Sequence, residues 1–321
     1  MLIRTFAVLG ALMMASAACA QSTLGHSRIG VLSPFNSSSD AFRDAFQQRL
    51  RELGYSAGRN LAVEYRAAEN VADRLPGLAK ELVRLKVDAI VTTSAPGAQA
   101  AKQATTTIPI VIAGVDDAVE QGFVSSLGRP GGNITGITWL DTELGAKRLE
   151  LIKQILPKTS RVALLREAVG GASSLRALDA AARTLGIRLV VMELRAAHEI
   201  DGVFAALAGE RVGALMVAQT PMIAREERRV VQLAAKHRLP TIFAFRGAVE
   251  AGGLASYGPR PVDLYRRAAD FAHRILNGGN AGEMPVEQPT NFELVINLKT
   301  AAELGIEIPK SLLVGADDLI R

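Results

Sequence analysis

The chain has 321 residues, of which 49% are hydrophobic, 21% charged and 5% aromatic; this excludes a disordered chain, and the length suggests two domains or one large one. The net charge is only +5, and the densest basic stretch, residues 225–229, contains two glutamates, which indicates a solvated helix face rather than a nucleic-acid interface. One cysteine and four scattered histidines exclude a disulfide scaffold and a zinc finger.

The first twenty residues have the order of an export signal. Arg4 is the one charged residue among the first 25, and an apolar run follows it from Phe6 to Ala18. Such a run has the length of a signal-peptide core and is too short to span a bilayer. We expect residues 1–20 to be a signal peptide that is cleaved after Ala20, and the mature chain to be periplasmic. Lipid attachment at Cys19 is the alternative.

From Arg28 onward, short apolar strands alternate with amphipathic helices. The run Ile29–Leu32 predicts a buried strand, and apolar residues at helical spacing from Phe42 to Leu53 predict the helix after it. Further strands are predicted at residues 61–65, 89–93 and 110–113, and a further helix at residues 75–85. Strands separated by helices of this length predict βαβ units and a parallel sheet covered on both faces.

The second half of the chain repeats this plan. Residues 27–32 match 160–165, 53–55 match 185–187, 87–91 match 212–216, and 108–112 match 239–243. Four matches in the same order predict two similar α/β lobes. Because open α/β sheets bind ligands beyond the carboxyl ends of their strands, two such lobes would enclose a cleft. A ligand in that cleft would hold it closed like a hinge.

The chain lacks the short motifs that carry catalysis. It has no phosphate-binding loop, no dinucleotide-binding glycine pattern after the first strand, no G-x-S-x-G and no H-E-x-x-H. Asp116 and Asp117 follow a predicted strand, and we interpret them as one loop acid with a solvated neighbour rather than a metal or acid–base pair. We therefore predict a binding protein and not an enzyme, with no metal and no cofactor.

Residues just after the predicted strands are the candidate ligand contacts. The candidates are Ser33, Phe35, Asn36, Thr93, Ser94, Ala95, Asp116, Arg166, Glu167, Gln219, Phe245 and Tyr257, the last at the end of a further predicted strand over 253–258. Hydroxyl and N–H groups at a helix start suit a carboxylate, and Asp116 suits an ammonium group. The set favours a zwitterionic or polar–apolar small molecule. The structural alternatives are helix caps at Ser33 and Thr93, a surface ion pair at 166–167, and a core ring at Phe35.

Several blocks stand in order along the chain and carry a family resemblance. They are residues 53–55, 58–60, 79–83, 87–90, 104–111, 129–136, 252–258, 264–269 and 285–301, among them Gly252-Gly253-Leu254-Ala255-Ser256-Tyr257-Gly258. Together they resemble the tryptophan/tyrosine-type substrate-binding proteins of ABC transporters. The resemblance implies a type I periplasmic-binding fold, with two doubly wound parallel-sheet lobes and three crossings between them, near Thr138, Gly252 and Pro285.

On this resemblance the N-terminal lobe comprises residues 27–137 plus 252–283, and the C-terminal lobe residues 138–251 plus 284–321. The resemblance also implies a periplasmic solute-binding component of an ABC importer, which delivers a small molecule such as an amino acid or an aromatic or carboxylated solute to an inner-membrane permease. We expect a monomer and no nucleic-acid partner. Two alternatives stay open: a ligand-sensing protein for a membrane receptor, and an exported small-molecule hydrolase.

The chain departs from the family pattern at two strand ends. Asp116-Asp117-Ala118-Val119 stands where the family usually has Asp-Pro-Val. Arg166-Glu167-Ala168-Val169 stands where many members have a short polar turn with proline. The second change adds charge to the predicted cleft and weakens any transfer of ligand specificity from other members.

Overall fold

The computed structural model describes residues 26–34, 41–69, 71–168 and 172–321. The predicted signal segment with Cys19, and the candidate contacts Phe35 and Asn36, lie outside the described residues. Within the described ranges, no helix has both the length and the apolar composition needed to cross a membrane.

The first half of the chain alternates strands and helices as its apolar pattern predicts. Its elements are β1 (Ser27–Ser33), α1 (Ala41–Glu52), β2 (Leu61–Ala67), α2 (Leu75–Arg84), β3 (Ala89–Thr92), α3 (Ala95–Ala104), β4 (Ile110–Val115), β5 (Ile134–Thr138) and α4 (Asp141–Ile155). Each predicted strand and helix of this half is present within a few residues of its expected bounds.

The second half follows with a longer series of elements. They are β6 (Arg161–Glu167), α5 (Ala172–Thr184), β7 (Arg188–Leu194), α6 (Ile200–Glu210), β8 (Ala214–Val217), α7 (Pro221–Arg225), α8 (Glu227–Lys236), β9 (Thr241–Phe243), α9 (Arg246–Glu250), β10 (Ala255–Pro259), α10 (Pro261–Leu276), β11 (Phe292–Asn297), α11 (Leu298–Leu304), α12 (Lys310–Gly315) and β12 (Asp318–Ile320). Short 3₁₀ turns precede α2, α6 and β11.

The strands form two sheets whose order reflects the sequence repeat. In the described part of the chain the first sheet has the order β2-β1-β3-β4-β5, and the second has the order β12-β11-β10-β9-β8-β6-β7. Read from the other edge, the second sheet begins β7-β6-β8-β9-β10, which is the order of the whole first sheet. Only β10 and β11 pair antiparallel among the described strands. The predicted pair of similar parallel-sheet lobes is confirmed.

Helices cover both faces of each sheet, as doubly wound sheets require. In the first lobe, α1 and α10 bury one face around Phe46 and Phe271, and α2 and α3 bury the other around Leu82. In the second lobe, α4 and α5 cover one face, and α6 and α8 cover the other around Phe204.

Two of the expected crossings between lobes lie later in the chain than the sequence suggests. Strand β10 pairs with β9 and so belongs to the second sheet, whereas the family resemblance places residues 252–283 in the first lobe. The chain therefore crosses between Pro259 and Pro261, where α10 begins and returns to the first sheet. Residues 284–287 likewise pack on the first lobe, because Met284 and Val286 are buried in its cores.

The two lobes exchange one helix each. Helix α4 follows β5 of the first sheet but packs its Leu149 and Ile152 on the second sheet. Helix α10 follows β10 of the second sheet but packs against α1 and the strands of the first. The chain therefore crosses between the lobes after β5 and after β10, in each case just before the exchanged helix. Both crossings lie at the carboxyl ends of strands, beside the space between the lobes.

A network of ion pairs ties α10 to α1 on the surface of the first lobe. Glu52 of α1 accepts hydrogen bonds from Arg266 at 2.6 and 3.0 Å and from Arg49 at 3.0 Å. Arg49 also pairs with Asp270 of α10 at 2.8 Å. The hydrogen bonds from Arg266 and then from Arg49 lower the pKa of Glu52 from 4.5 to about 2.

Replacing Glu52 with glutamine should lower the resistance of the protein to urea at neutral pH. Because the pKa of Glu52 is lower in the folded chain, its contribution is present above pH 4.5 and is lost as the pH falls toward 2. The urea midpoints of the wild type and Glu52→Gln should therefore differ at pH 7 and converge near pH 2. Glu303→Gln, at an exposed position of α11, is the control. If the urea midpoints differed equally at pH 7 and near pH 2, the ionised carboxylate of Glu52 would not be the source of the stability.

Candidate ligand-binding cleft

The candidate residues of the first lobe lie together at the carboxyl edge of its sheet. Ser33 ends β1 and is buried, Ser94 lies between β3 and α3 and is buried, and Asp116 follows β4 and is half-buried. Since β1, β3 and β4 are neighbours in the sheet, their carboxyl ends form one continuous edge. Thr93 and Ala95, both half-buried, flank Ser94 on that edge.

Ser94 is the N-cap of α3. Its side-chain oxygen accepts a hydrogen bond from the N–H of Gly97 at 3.1 Å, and its carbonyl accepts from Ala98 at 2.9 Å. Pro96 stands in the first turn, where its missing N–H costs nothing. The capping role considered for Thr93 thus belongs to Ser94, one residue further along.

The loop after β4 places two carboxylates at the same edge. The carbonyl of Asp116 accepts from the side chain of Gln121, and Asp117, at φ 41°, accepts from the N–H of Glu120 at 3.0 Å. Burial raises the pKa of Asp117, and the charges of Glu120 and Glu143 raise it further. Neither aspartate is the solvated neighbour that the sequence suggests, because both are half-buried.

Glu143 adds information about the two lobes. It lies near the start of α4, a helix that packs on the second sheet, yet its charge acts on Asp117 of the first lobe. After burial and Glu120, the charge of Glu143 is a lesser cause of the raised pKa of Asp117. In the described part of the chain, no group of three His, Cys, Asp or Glu side chains is arranged to hold a metal ion.

The second sheet presents its own row of candidates at the carboxyl ends of β6, β8 and β9. Arg166 and Glu167 are the last two residues of β6, and Gln219 lies two residues beyond β8. Phe245 is the N-cap residue of α9. All four are half-buried, and three adjacent strands bring them to one edge. Arg166 and Glu167 do not form an isolated surface ion pair, since Glu167 bonds to the backbone of Met222 at 3.0 Å.

Tyr257 lies within a strand and not at its end. It occupies the third position of β10, its half-buried ring packs against the core of the second lobe, and Phe292 lies 6.1 Å away between ring centroids. Its carbonyl accepts a hydrogen bond at 2.8 Å from Arg148, a side chain of α4 that is 2% exposed. Its role as a ligand contact stays a prediction.

Trp139 is a further candidate site residue, absent from the candidates taken from the sequence. It follows β5 directly, at the first crossing, and its ring lies 4.9 Å from that of Phe245 in the second lobe, tilted by 51°. Strand β5 ends at Thr138, so Trp139 is the first residue beyond it. With that boundary, the strand-end rule that selected the other candidates would have selected the one tryptophan of the chain as well.

Gly114 gives Trp139 its position. At φ +89°, Gly114 adopts a backbone conformation that favours glycine, and the indole lies directly against it. A Cβ atom at position 114 would stand 2.1 Å from Cε2 of Trp139. The indole thus lies against β4 at Gly114 and also contacts the ring of Phe245.

The edges of the two sheets therefore face each other across an aromatic contact. Hydroxyl groups and the carboxylates of Asp116 and Asp117 line the first edge, both charges line the second, and two rings meet between them. Such a site suits a small molecule that has an apolar aromatic part and charged ends.

Comparison with known proteins identifies the family. Residues 28–320 match the family model described as ABC transporter substrate binding protein. A tyrosine-binding protein of Clostridioides difficile (strain R20291) is 29% identical over 273 residues, which cover 84% of this chain and 78% of that protein.

Solved structures with a similar fold include substrate-binding proteins of the same kind. The ABC domain of Streptococcus pneumoniae in complex with L-Trp has a TM-score of 0.87 at 27% identity, covering 92% of this chain and 100% of that one. The ligand-free, open structure of a substrate-binding protein from Clostridium difficile has a TM-score of 0.70 at 28% identity, covering 92% and 99%. With its two repeated lobes and a facing pair of strand edges, the chain belongs to the family of ABC transporter substrate-binding proteins.

Proposed function

We propose that this substrate-binding protein captures an aromatic small molecule with charged ends, in the class of the aromatic amino acids. The observation that carries this proposal is the contact between Trp139 and Phe245, which brings one ring from each lobe into the cleft. Aromatic rings pair by offset or tilted stacking, so a ligand ring entering beside them gains both apolar burial and ring contacts.

The comparisons support the same class. A relative bears the name tyrosine-binding protein, and a structural neighbour is a complex with L-Trp. At almost equal identity and coverage, the open, ligand-free neighbour has the lower TM-score. That difference is expected if the lobes of this chain stand in the closed arrangement. The contact between Trp139 and Phe245 is then a feature of the closed cleft.

The family also gives the proposal its setting. Proteins of this family work outside the cytoplasm, and we propose that residues 1–20 direct export and that the mature chain is periplasmic. It would act as a monomer that hands its ligand to an inner-membrane permease. Neither the sensor nor the hydrolase alternative is favoured by the family match.

Fluorescence of Trp139 tests the proposed ligand class. Because the chain has one tryptophan, its emission on excitation at a wavelength that tyrosine does not absorb reports on the cleft alone. L-Tyrosine and L-phenylalanine should change this emission saturably, whereas L-leucine should not. Ligand at 100 times its Kd should add roughly 2.7 kcal/mol of stability, visible as a higher melting temperature. The proposal fails if neither aromatic amino acid alters emission or melting.

A further inference from the structure

Glu167 is one of the candidate ligand contacts of the second lobe. It is the last residue of β6, half-buried at the carboxyl edge of the second sheet. Its Oε1 atom accepts a hydrogen bond from the N–H of Met222 at 3.0 Å. A carboxylate is thereby fixed beside α7, on the second-lobe wall of the cleft.

The N–H groups at the start of α7 are already bonded within the protein. Pro221 has no N–H, the N–H of Met222 donates to Glu167, and the N–H of Ile223 donates to the side chain of Thr220 at 3.3 Å. The N–H of Ala224 donates to the carbonyl of Thr220 at 2.8 Å. A ligand carboxylate placed here would find no backbone donor and would face the charge of Glu167.

The side chain of the neighbouring Arg166 lies on the other face of the second sheet. Successive residues of a strand point to opposite faces, and Leu164 and Leu165 lie in the cores on opposite faces of the sheet. Arg166 therefore shares the face of α4 and α5, whereas Glu167 shares the face of α7. The Arg166 Nε atom donates to the carbonyl of Glu167 at 3.1 Å and not to its carboxylate.

We propose that Glu167 is a specificity-determining residue, whose carboxylate selects a ligand with a positively charged nitrogen and disfavours one that brings only a carboxylate. The inference rests on the proposed function and deepens it, because it names the residue that selects the ammonium group and extends the ligand class to aromatic amines. The charge does the selecting, because the hydrogen bond to Met222 would be kept by an uncharged amide oxygen.

Three ligands that share one ring separate the contributions of the charged groups. L-Tyrosine carries both charges, tyramine lacks the carboxylate, and 3-(4-hydroxyphenyl)propionate lacks the ammonium group. Titrations of Trp139 emission or calorimetry would give each Kd for the wild type and for Glu167→Gln. Glutamine keeps an acceptor for Met222 and removes the charge. Glu193→Gln, at an exposed position of the adjacent strand β7, is the matched control.

In the wild type, the propionate should bind at least about tenfold more weakly than L-tyrosine, the usual scale for losing a charge-assisted hydrogen bond. Glu167→Gln should weaken L-tyrosine and tyramine by a similar factor and leave the propionate unchanged or tighter, whereas Glu193→Gln should change none of them. Equal effects of Glu167→Gln on all three ligands would overturn the inference while leaving the proposed function intact. If no aromatic ligand, these three included, binds the wild type, the proposed function itself fails.

Discussion

Alanine at position 114 is expected to abolish tight ligand binding while the protein still folds. The new Cβ atom would stand 2.1 Å from Cε2 and 2.3 Å from Cζ2 of Trp139, far inside contact distance, so the indole must leave its place against β4. The backbone at φ +89° adds strain of about 1–3 kcal/mol. Trp139 follows β5 and is half-buried against the edge of the first-lobe core, so we expect its displacement to cost some stability but to damage the site more.

Gly122→Ala separates the effect of backbone strain from the effect of displacing the indole. Gly122 lies in the loop after the same strand at φ +68°, yet nothing lies within 4 Å of its missing Cβ atom. It should reproduce the backbone strain without moving the indole. We expect Gly114→Ala to shift the emission of Trp139 and to weaken L-tyrosine binding by about 100-fold or more, as when an aromatic hot spot is lost. Unchanged emission in Gly114→Ala, or equal binding defects in both variants, would show that Gly114 does not position Trp139.

The repeat in the sequence predicts more of the topology than the family resemblance does. The matched segments become β1 and β6, β3 and β8, and β4 and β9, each in an equivalent place of its sheet. By the same equivalence β10 corresponds to β5 and has to pair with β9. The resemblance instead suggested a crossing near Gly252. The structure follows the repeat, because an apolar strand gains most when both its faces are covered in a continuous sheet.

The placement of the candidate site residues was predictable to the extent that it depends on strand ends. Ser94, Asp116, Glu167 and Phe245 all lie at the carboxyl edges, where parallel strands of an open sheet present their loops. What each side chain does there depends on partners distant in sequence. Glu167 bonds to a residue 55 positions away, and no local pattern shows that pairing.

The contact between Trp139 and Phe245 is the clearest case of this limit. The two residues belong to different lobes, and their approach depends on how the lobes stand relative to each other. A sequence pattern fixes which strand each residue follows but carries no information on lobe closure. The missing side chain of Gly114 is a further requirement, which becomes evident only when the indole is seen against it.

The strongest effect on stability is expected from Gly136→Ala. Gly136 lies in β5 at φ +134°, and a Cβ atom there would stand 2.0 Å from the carbonyl oxygen and 2.7 Å from the nitrogen of Ile112. Both are backbone atoms of β4, so no side-chain rotation relieves the clash. The two strands must separate at the centre of their pairing, which also includes Ile110 with Ile134. We expect Gly136→Ala to lower the free energy of unfolding by about 3–5 kcal/mol, the upper range for single substitutions.

The displacement of β5 in Gly136→Ala should extend to the cleft, because β5 leads directly into Trp139. The carbonyl of Gly136 also accepts a hydrogen bond from the N–H of Glu287 at 2.8 Å. Urea unfolding followed by circular dichroism and by Trp139 emission would measure both effects. Gly186→Ala is the matched control, since Gly186 has φ +66° with nothing within 4 Å of its missing Cβ atom. It should cost about 1 kcal/mol. If Gly136→Ala cost no more than this control, close packing of β4 against β5 would not be what requires glycine at position 136.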